Sequence, residues 1–149
     1  IIEENLLTPP KSPTRWSSYT EIVERLNAPE LLDFYIDHNI KYYHRIPNFH
    51  RSGRSIIKEG YGDCDDLANF GRIILSKAGY DVFGRIVGNG RSSVHIGLGL
   101  KLDDGSYLLA VNLIDSNNLS GPYSTILELD RALGFGPSYP SREYFYFTW

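Results

Sequence analysis

The strongest hydrophobic pattern in the chain lies just past its midpoint. Leu67, Phe70, Gly71, Ile74, Leu75 and Ala78 recur at helical spacing, which predicts an amphipathic helix over Cys64–Lys77. Asp63 stands where an N-cap is wanted, acidic residues fill the first turn, Lys77 sits in the last, and Gly79 supplies the exit. Gly71 in the middle implies close packing, because a helix former there would be more stable. Downstream the period changes to two. Runs at 80–87, 93–102 and 107–115 read as strands, and the second alternates cleanly. Val94, Ile96, Leu98, Leu100 and Leu102 point one way, His95, Gly97, Gly99 and Lys101 the other.

Upstream, Ser17, Ser18 or Thr20 can cap a helix over about 19–26, and Pro29 suits the first turn of a second one that Asn39 would stop. Residues 44–55 have no clean period and read as a loop, with one helical turn at Ser55–Glu59. Thr125–Leu133 predicts a short helix, and the aromatic run from Tyr144 to Trp149 a last strand. The proline-rich stretch Thr8-Pro9-Pro10-Lys11-Ser12-Pro13 cannot sustain a helix. Residues 1–15 therefore read as a leader or linker, and 16–149 as a single domain.

Composition narrows the function. The net charge is −3 and the basic residues are scattered, which argues against a nucleic-acid surface. No stretch is apolar enough to insert in a membrane. The single cysteine excludes an internal disulfide and a cysteine-rich zinc site. The chain starts Ile1-Ile2-Glu3 and has no Met. An exported or periplasmic setting is the expectation, with any signal or anchor lying outside these residues.

That one cysteine, Cys64, falls in the first turn of the best-defined helix. Unpaired amides and a partial positive charge there favour thiolate over thiol. If Asp104-Gly105-Ser106 is a three-residue hairpin loop, His95 stands directly opposite Asp115 with Cβ atoms about 5 Å apart. On the same face Gly97 and Gly99 would leave a trough for the Cys64 helix. Cys64 would then be the nucleophile, His95 the general base and Asp115 the group that orients the imidazole, with Asn112 or Asn117 as alternatives for that last role. The Cys64 N–H is one ready oxyanion donor, and the second is unassigned. His38, His44 and His50 read as surface or loop residues, Tyr42-Tyr43 as core or interface.

Gly62-Asp63-Cys64-Asp65-Asp66-Leu67-Ala68 resembles the Gly-x-Cys-x-Asp-x-Ala signature of the transglutaminase-like superfamily, nearest to the bacterial transglutaminase-like cysteine proteinases. Val94-His95-Ile96 and Asn112-Leu113-Ile114-Asp115 complete its Cys–His–Asp order, and the likeness covers about residues 55–116. The resemblance implies an α+β, papain-like fold with the Cys helix packed on an antiparallel sheet carrying His and Asp. It implies a thiol-dependent peptidase or amidase that works through a thioester on a protein or peptide substrate and requires no cofactor. An amide transferase and a catalytically inactive binding domain share the same scaffold. In some periplasmic relatives acids flanking the cysteine bind calcium, and Asp63 and Asp65 match those positions; helix capping is their simpler reading. The Trp that many relatives carry before the motif is missing from Asn48-Phe49-His50-Arg51.

Overall fold

The computed structural model describes residues 18–43, 51–88, 94–112, 119–133 and 141–144. In chain order the elements are α1 (Tyr19–Arg25), α2 (Pro29–Asn39), β1 (Lys41–Tyr42), α3 (Gly53–Glu59), β2 (Tyr61–Gly62), α4 (Cys64–Lys77), β3 (Asp81–Gly88), β4 (Val94–Lys101), β5 (Tyr107–Val111), β6 (Ser120–Tyr123), α5 (Ile126–Ala132) and β7 (Ser141–Tyr144). The fold is α+β: β3 to β7 form one antiparallel sheet in the order β6-β5-β4-β3-β7, while β1 and β2 make a separate parallel ribbon.

Local chemistry explains the helices. Ser18, Ser52 and Thr125 each accept an amide hydrogen bond at a helix start, and Asp63 forms a capping box with Asp66. The loop expected over residues 44–55 gives way at Gly53, because Ser52 caps a longer helix than the single turn anticipated. β6 was not foreseen either. Pro122 is tolerated in it because the strand lies at the sheet edge, where a missing N–H breaks no ladder. β7 lies on the opposite edge, against β3; residues 145–149 and the leader at 1–15 lie outside the described residues.

Two apolar layers flank the sheet. On one face Ile96, Leu98, Leu100, Ala110 and Val111 pack with Ile22, Leu32, Tyr35, Ile56, Leu67, Phe70, Ile74 and others from α1 to α4. Each such side chain, fully buried, stabilises the fold by about 1.5–3 kcal/mol. Gly71 lets this layer close, for a Cβ there would stand 2.9 Å from Leu98 Cδ2, 3.0 Å from Val111 Cγ2 and 3.1 Å from Leu32 Cδ2. On the other face Val87 and Leu109 meet Leu129 and Leu133 of and just after α5. Arg85 of β3 clamps α5 there, donating to both carboxylate oxygens of Asp130 at 2.8 and 2.7 Å.

That second face corrects the expected packing of the Cys64 helix. Gly97 and Gly99 do not receive α4. A Cβ on Gly97 would run into Leu133 Cδ1 and lie 3.0 Å from Val111 O, and one on Gly99 would lie 2.5 Å from the Phe83 ring. Helix α4 covers the Ile96, Leu98 and Leu100 face instead, because those positions carry the bulk that its own apolar stripe can bury.

The β4–β5 hairpin also differs from the expected register. Lys101 pairs with Tyr107, and Leu102 N donates to Ser106 O at 2.8 Å, so the loop is Asp103-Asp104-Gly105. Gly105, at φ 88°, occupies the left-handed last position of that loop. Further along, Gly99 pairs with Leu109 but Leu98 with Val111, so Ala110 is an extra residue in β5.

Candidate functional site

Everything that sets the thiol in place converges on the start of α4. Asp66 N donates to Asp63 Oδ1 at 3.2 Å and Asp63 N to Asp66 Oδ2 at 3.3 Å, which fixes the turn on which Cys64 is the first helical residue. Beneath it lies Arg51, a buried arginine that the sequence pattern did not single out. Its guanidinium donates to Tyr61 O, to Ser55 O at 3.3 Å and to Glu59 Oε2 at 2.7 Å, and lies 3.8 Å from Asp66 Oδ2 and 4.2 Å over the Tyr61 ring. One side chain thus ties α3, β2 and the first turn of α4 together.

Cys64 is partly buried. Its thiol does not titrate as a helix-terminal cysteine was expected to. The amides of Ile96 and Asp65 do favour the thiolate, but burial first, then the carboxylates of Asp65 and Asp63, push the thiol up to about 11. Desolvation and two neighbouring acids outweigh the helix terminus. The resting group is a thiol.

His95 is buried on β4 opposite Val87, hence on the α5 face of the sheet. Its Nε2 lies 2.9 Å from Asn112 Oδ1, and Asn112 Nδ2 donates to Ala132 O at 3.3 Å. The carbonyl of Ala132 can only accept, so the Asn112 amide must present its oxygen to the ring. His95 Nε2 therefore carries the proton, and Nδ1 holds the lone pair. Burial lowers the His95 pKa, with Asn112 opposing, so at neutral pH the imidazole is an uncharged base.

Of the three residues expected to meet, Cys64 and His95 are among the described residues, and they lie on opposite faces of the sheet at neighbouring positions. The Cys64 sulfur approaches the amide of Ile96, the residue after His95, from the α4 side, while the imidazole stands on the α5 side. Asp115 lies outside the described residues, as do His44, His50 and Asn117. The register that would set Asp115 opposite His95 does not hold along the described pairs, because the loop starts one residue earlier, which moves the pairing by two, and the extra residue Ala110 returns only one of them. That shift turns Asn112 toward α5 and His95. His38 is exposed, stacked on Phe34, with its Nδ1 2.9 Å from Phe34 O.

One neighbour was missed outright. Tyr42 and Tyr43 are 45% and 61% exposed rather than core residues, and burial, then the nearby charges of Cys64 and Asp63, push the Tyr42 phenol up to about 12. No periodicity in the chain could have brought Tyr42 near Cys64.

Asp63, Asp65 and Asp66 each offer a carboxylate oxygen, all within 4.8 Å of one another. Burial, the hydrogen bond that the protonated Asp63 carboxyl donates to Asp65, and the charges of Asp65 and Asp66 push Asp63 up to about 8. The donors are hard oxygens, as calcium prefers, but three are fewer than the six to eight it takes, and the capping box already uses Asp63 and Asp66. Among the described residues no helix is long and apolar enough to cross a membrane.

A helix that delivers a cysteine to an antiparallel sheet bearing a histidine is consistent with a papain-like α+β fold. No protein-family model matches the chain, and no curated protein matches it. Among solved structures it is similar to "a Putative Cysteine Protease from Cytophaga hutchinsonii", at 18% identity and a TM-score of 0.48, over 96% of this chain. The chain spans 56% of the length of that protein.

Proposed function

We propose that the chain is a thiol-dependent peptidase or amidase of transglutaminase-like type, with Cys64 as nucleophile and His95 as general base. The observation that carries this reading is the Ala132–Asn112–His95 relay, which leaves Nδ1 as the basic nitrogen one residue from the amide that faces the Cys64 sulfur. Asn112 is the orienting group in this reading. Asp115 is the alternative that the family order supplies.

The reaction starts from an uncharged pair. As Cys64 Sγ attacks the acyl carbon, its proton passes to His95 Nδ1, which requires the ring to reach the sulfur over the end of β4. The Cys64 N–H, outside the intrahelical ladder as a first-turn amide, is a donor for the developing oxyanion. The imidazolium then protonates the leaving amine, and water hydrolyses the thioester. An amine in place of that water would make the same site an amide transferase. The steps need no cofactor. Calcium, where bound, would be held by Asp63 and Asp65, displacing the proton at Asp63 and supplying positive charge beside the thiol.

Incubation with p-nitrophenyl acetate, followed by intact-mass measurement, tests the reading. A hydroxylamine-labile acyl group is expected on the wild-type chain and none on Cys64→Ser, with formation strongly slowed in His95→Ala. A second reading, an inactive binding domain, is favoured by the high thiol pKa. Absence of any Cys64-dependent acyl adduct would select it and refute the enzyme. With an acyl-enzyme in hand, product analysis with and without an added amine separates hydrolysis from transfer.

A further inference from the structure

We infer that the cleft between α4 and β3 is a subsite for the acyl side of a peptide substrate, with the Asn69 side-chain amide donating to one of its main-chain carbonyls. This inference rests on the cysteine-nucleophile reading and names the substrate class that reading leaves open. Asp65, Asn69 and Arg72 follow one another at helical spacing along one side of α4. They line a cleft of about 220 Å³, partly open to solvent, whose other wall includes Gly84 of β3 and Ile96 of β4. Gly84 makes the space. It pairs with Leu98, which belongs to the α4 layer, so a side chain at 84 would project into that same layer. Asp65 and Ile96 directly follow Cys64 and His95 in the chain, so the cleft begins beside the reacting pair.

Asn69 is the feature that calls for a ligand. It is only 2% exposed, and its Oδ1 accepts from Arg72 Nε at 3.0 Å. A guanidinium can only donate, so the amide orientation is fixed and Nδ2 is turned away from Arg72. Among the described residues Nδ2 is buried without a hydrogen-bond partner, a costly state for a donor unless an acceptor enters. The closed part of the cleft takes one group about the size of a water, which a carbonyl oxygen matches. One carboxylate and one guanidinium, those of Asp65 and Arg72, share the cleft, so an uncharged peptide group suits it better than a carboxylate or an ammonium.

Asn69 stands five residues past Cys64, about 7.5 Å along the helix axis. Two residues of extended peptide span about 7 Å. The carbonyl that meets Asn69 is therefore the second one upstream of the carbonyl that Sγ attacks. The acyl half stays bound through thioester formation and hydrolysis while the amine leaves, so a half-closed cleft serves the acyl half. Bond making and breaking stay at Cys64, and Asn69 keeps both of its protons.

Two esters test the subsite on the full chain. N-acetylglycylglycine p-nitrophenyl ester carries the second upstream carbonyl, and p-nitrophenyl acetate lacks it. Each acylation rate, divided by the rate of the same ester with N-acetylcysteine, gives a preference for the longer ester, expected well above one for wild type. Asn69→Asp keeps an oxygen for Arg72 and removes the N–H donor, and should lower the preference by up to about tenfold. Gly84→Ala sets a methyl in the cleft and should lower it too. A purely structural role for Asn69 would move both rates together and leave the preference intact. A preference near one in wild type, or one unchanged in either variant, overturns the subsite and leaves the Asn69 donor to a solvent molecule. Wild-type acylation by both esters no faster than that of Cys64→Ser removes the catalytic reading and the subsite with it, a result distinct from an active enzyme without the preference.

Discussion

The state of the resting thiol is the quantity on which the chemistry turns, and it can be read directly, because Cys64 is the only cysteine in the chain. With the thiol pushed from its ordinary value of 9.0 to about 11, only about one molecule in 10⁴ carries a thiolate at pH 7, against about one in 10² for a thiol at 9.0. A more basic thiolate is also more nucleophilic. With a Brønsted coefficient of about 0.4–0.5 the two-unit rise returns a factor of about 6–10. The net expectation for exchange with 4,4′-dithiodipyridine at pH 7 is a rate about tenfold below that of a free cysteine. The rate should climb about tenfold per pH unit and show no plateau below pH 10.

Asp63→Asn gives this expectation a signature. Asn keeps the Oδ1 that caps Asp66 N and removes the charge. Because Asp63 itself titrates near 8, the variant should match wild type below pH 7 and react faster above pH 8.5, where the wild-type carboxylate is ionised and opposes the thiolate. His95→Ala should leave both profiles unchanged, since a neutral imidazole lends no charge to the resting sulfur. A wild-type plateau between pH 6 and 8 that vanishes in His95→Ala would mean a thiolate–imidazolium pair. The balance of burial and carboxylates argued above would then be wrong.

Other consequences are open to measurement. Asn112→Asp sets a carboxylate beside the imidazole and should raise the His95 pKa by about 1–2 units, seen as a shift in the ring-proton titration by NMR; an unmoved titration would deny the Asn112 contact. The raised Asp63 pKa means that the folded chain keeps a proton the unfolded chain releases, so this stabilisation is complete below about pH 4 and is lost as pH rises through about 8. Asp63→Asn should accordingly flatten the fall in Tm over that window. Calcium, competing with the same proton, should raise the wild-type Tm more at pH 8.5 than at pH 6, and no response at millimolar calcium removes the ion from this site. Gly97→Ala drives a Cβ toward Leu133 and the Val111 carbonyl and should cost about 1–3 kcal/mol in urea unfolding, whereas a cost below 0.5 kcal/mol, on the order of a surface substitution, would contradict the packing of α5.

The parts of the fold that could be read in advance are those where several local signals agree. Cys64–Lys77 begins and ends where its period, its acidic first turn, the Asp63 cap and Gly79 all place it. α2 is equally well marked by Pro29 and Asn39. The Asp103-Asp104-Gly105 loop was legible in principle: a three-residue hairpin loop takes its left-handed residue last, and Gly105 is the residue that fits. Other features have no local cause. The face that α4 covers depends on which side of β4 has bulk to offer, and α5 closes the other side only through Leu129, Leu133 and the Arg85–Asp130 clamp. Arg51 reads as one of three arginines in a featureless loop, and its burial depends on acceptors at Ser55, Glu59, Tyr61 and Asp66. Tyr42 is aligned with Gly62, just before α4, by a ribbon two residues long, too short for any period.

The extra residue in β5 decides more than register. Without Ala110 as a bulge, the side chains of β5 would keep strict alternation, and Asn112 would face α4 with Leu108 and Ala110. With it, Val111 turns to the α4 layer beside Leu98, and Asn112 turns to α5. There the Ala132 carbonyl fixes the amide, the amide fixes the imidazole tautomer, and Nδ1 becomes the basic nitrogen. An aspartate at the same place could accept from His95 but could not donate to Ala132 O. It would also charge a buried layer that already holds one carboxylate, Asp130. An amide is therefore the group this face of the sheet can hold. By that reasoning the histidine is oriented by Asn112, and the proposed site is a Cys–His–Asn arrangement assembled from residues that the hydrophobic period alone assigns to opposite faces.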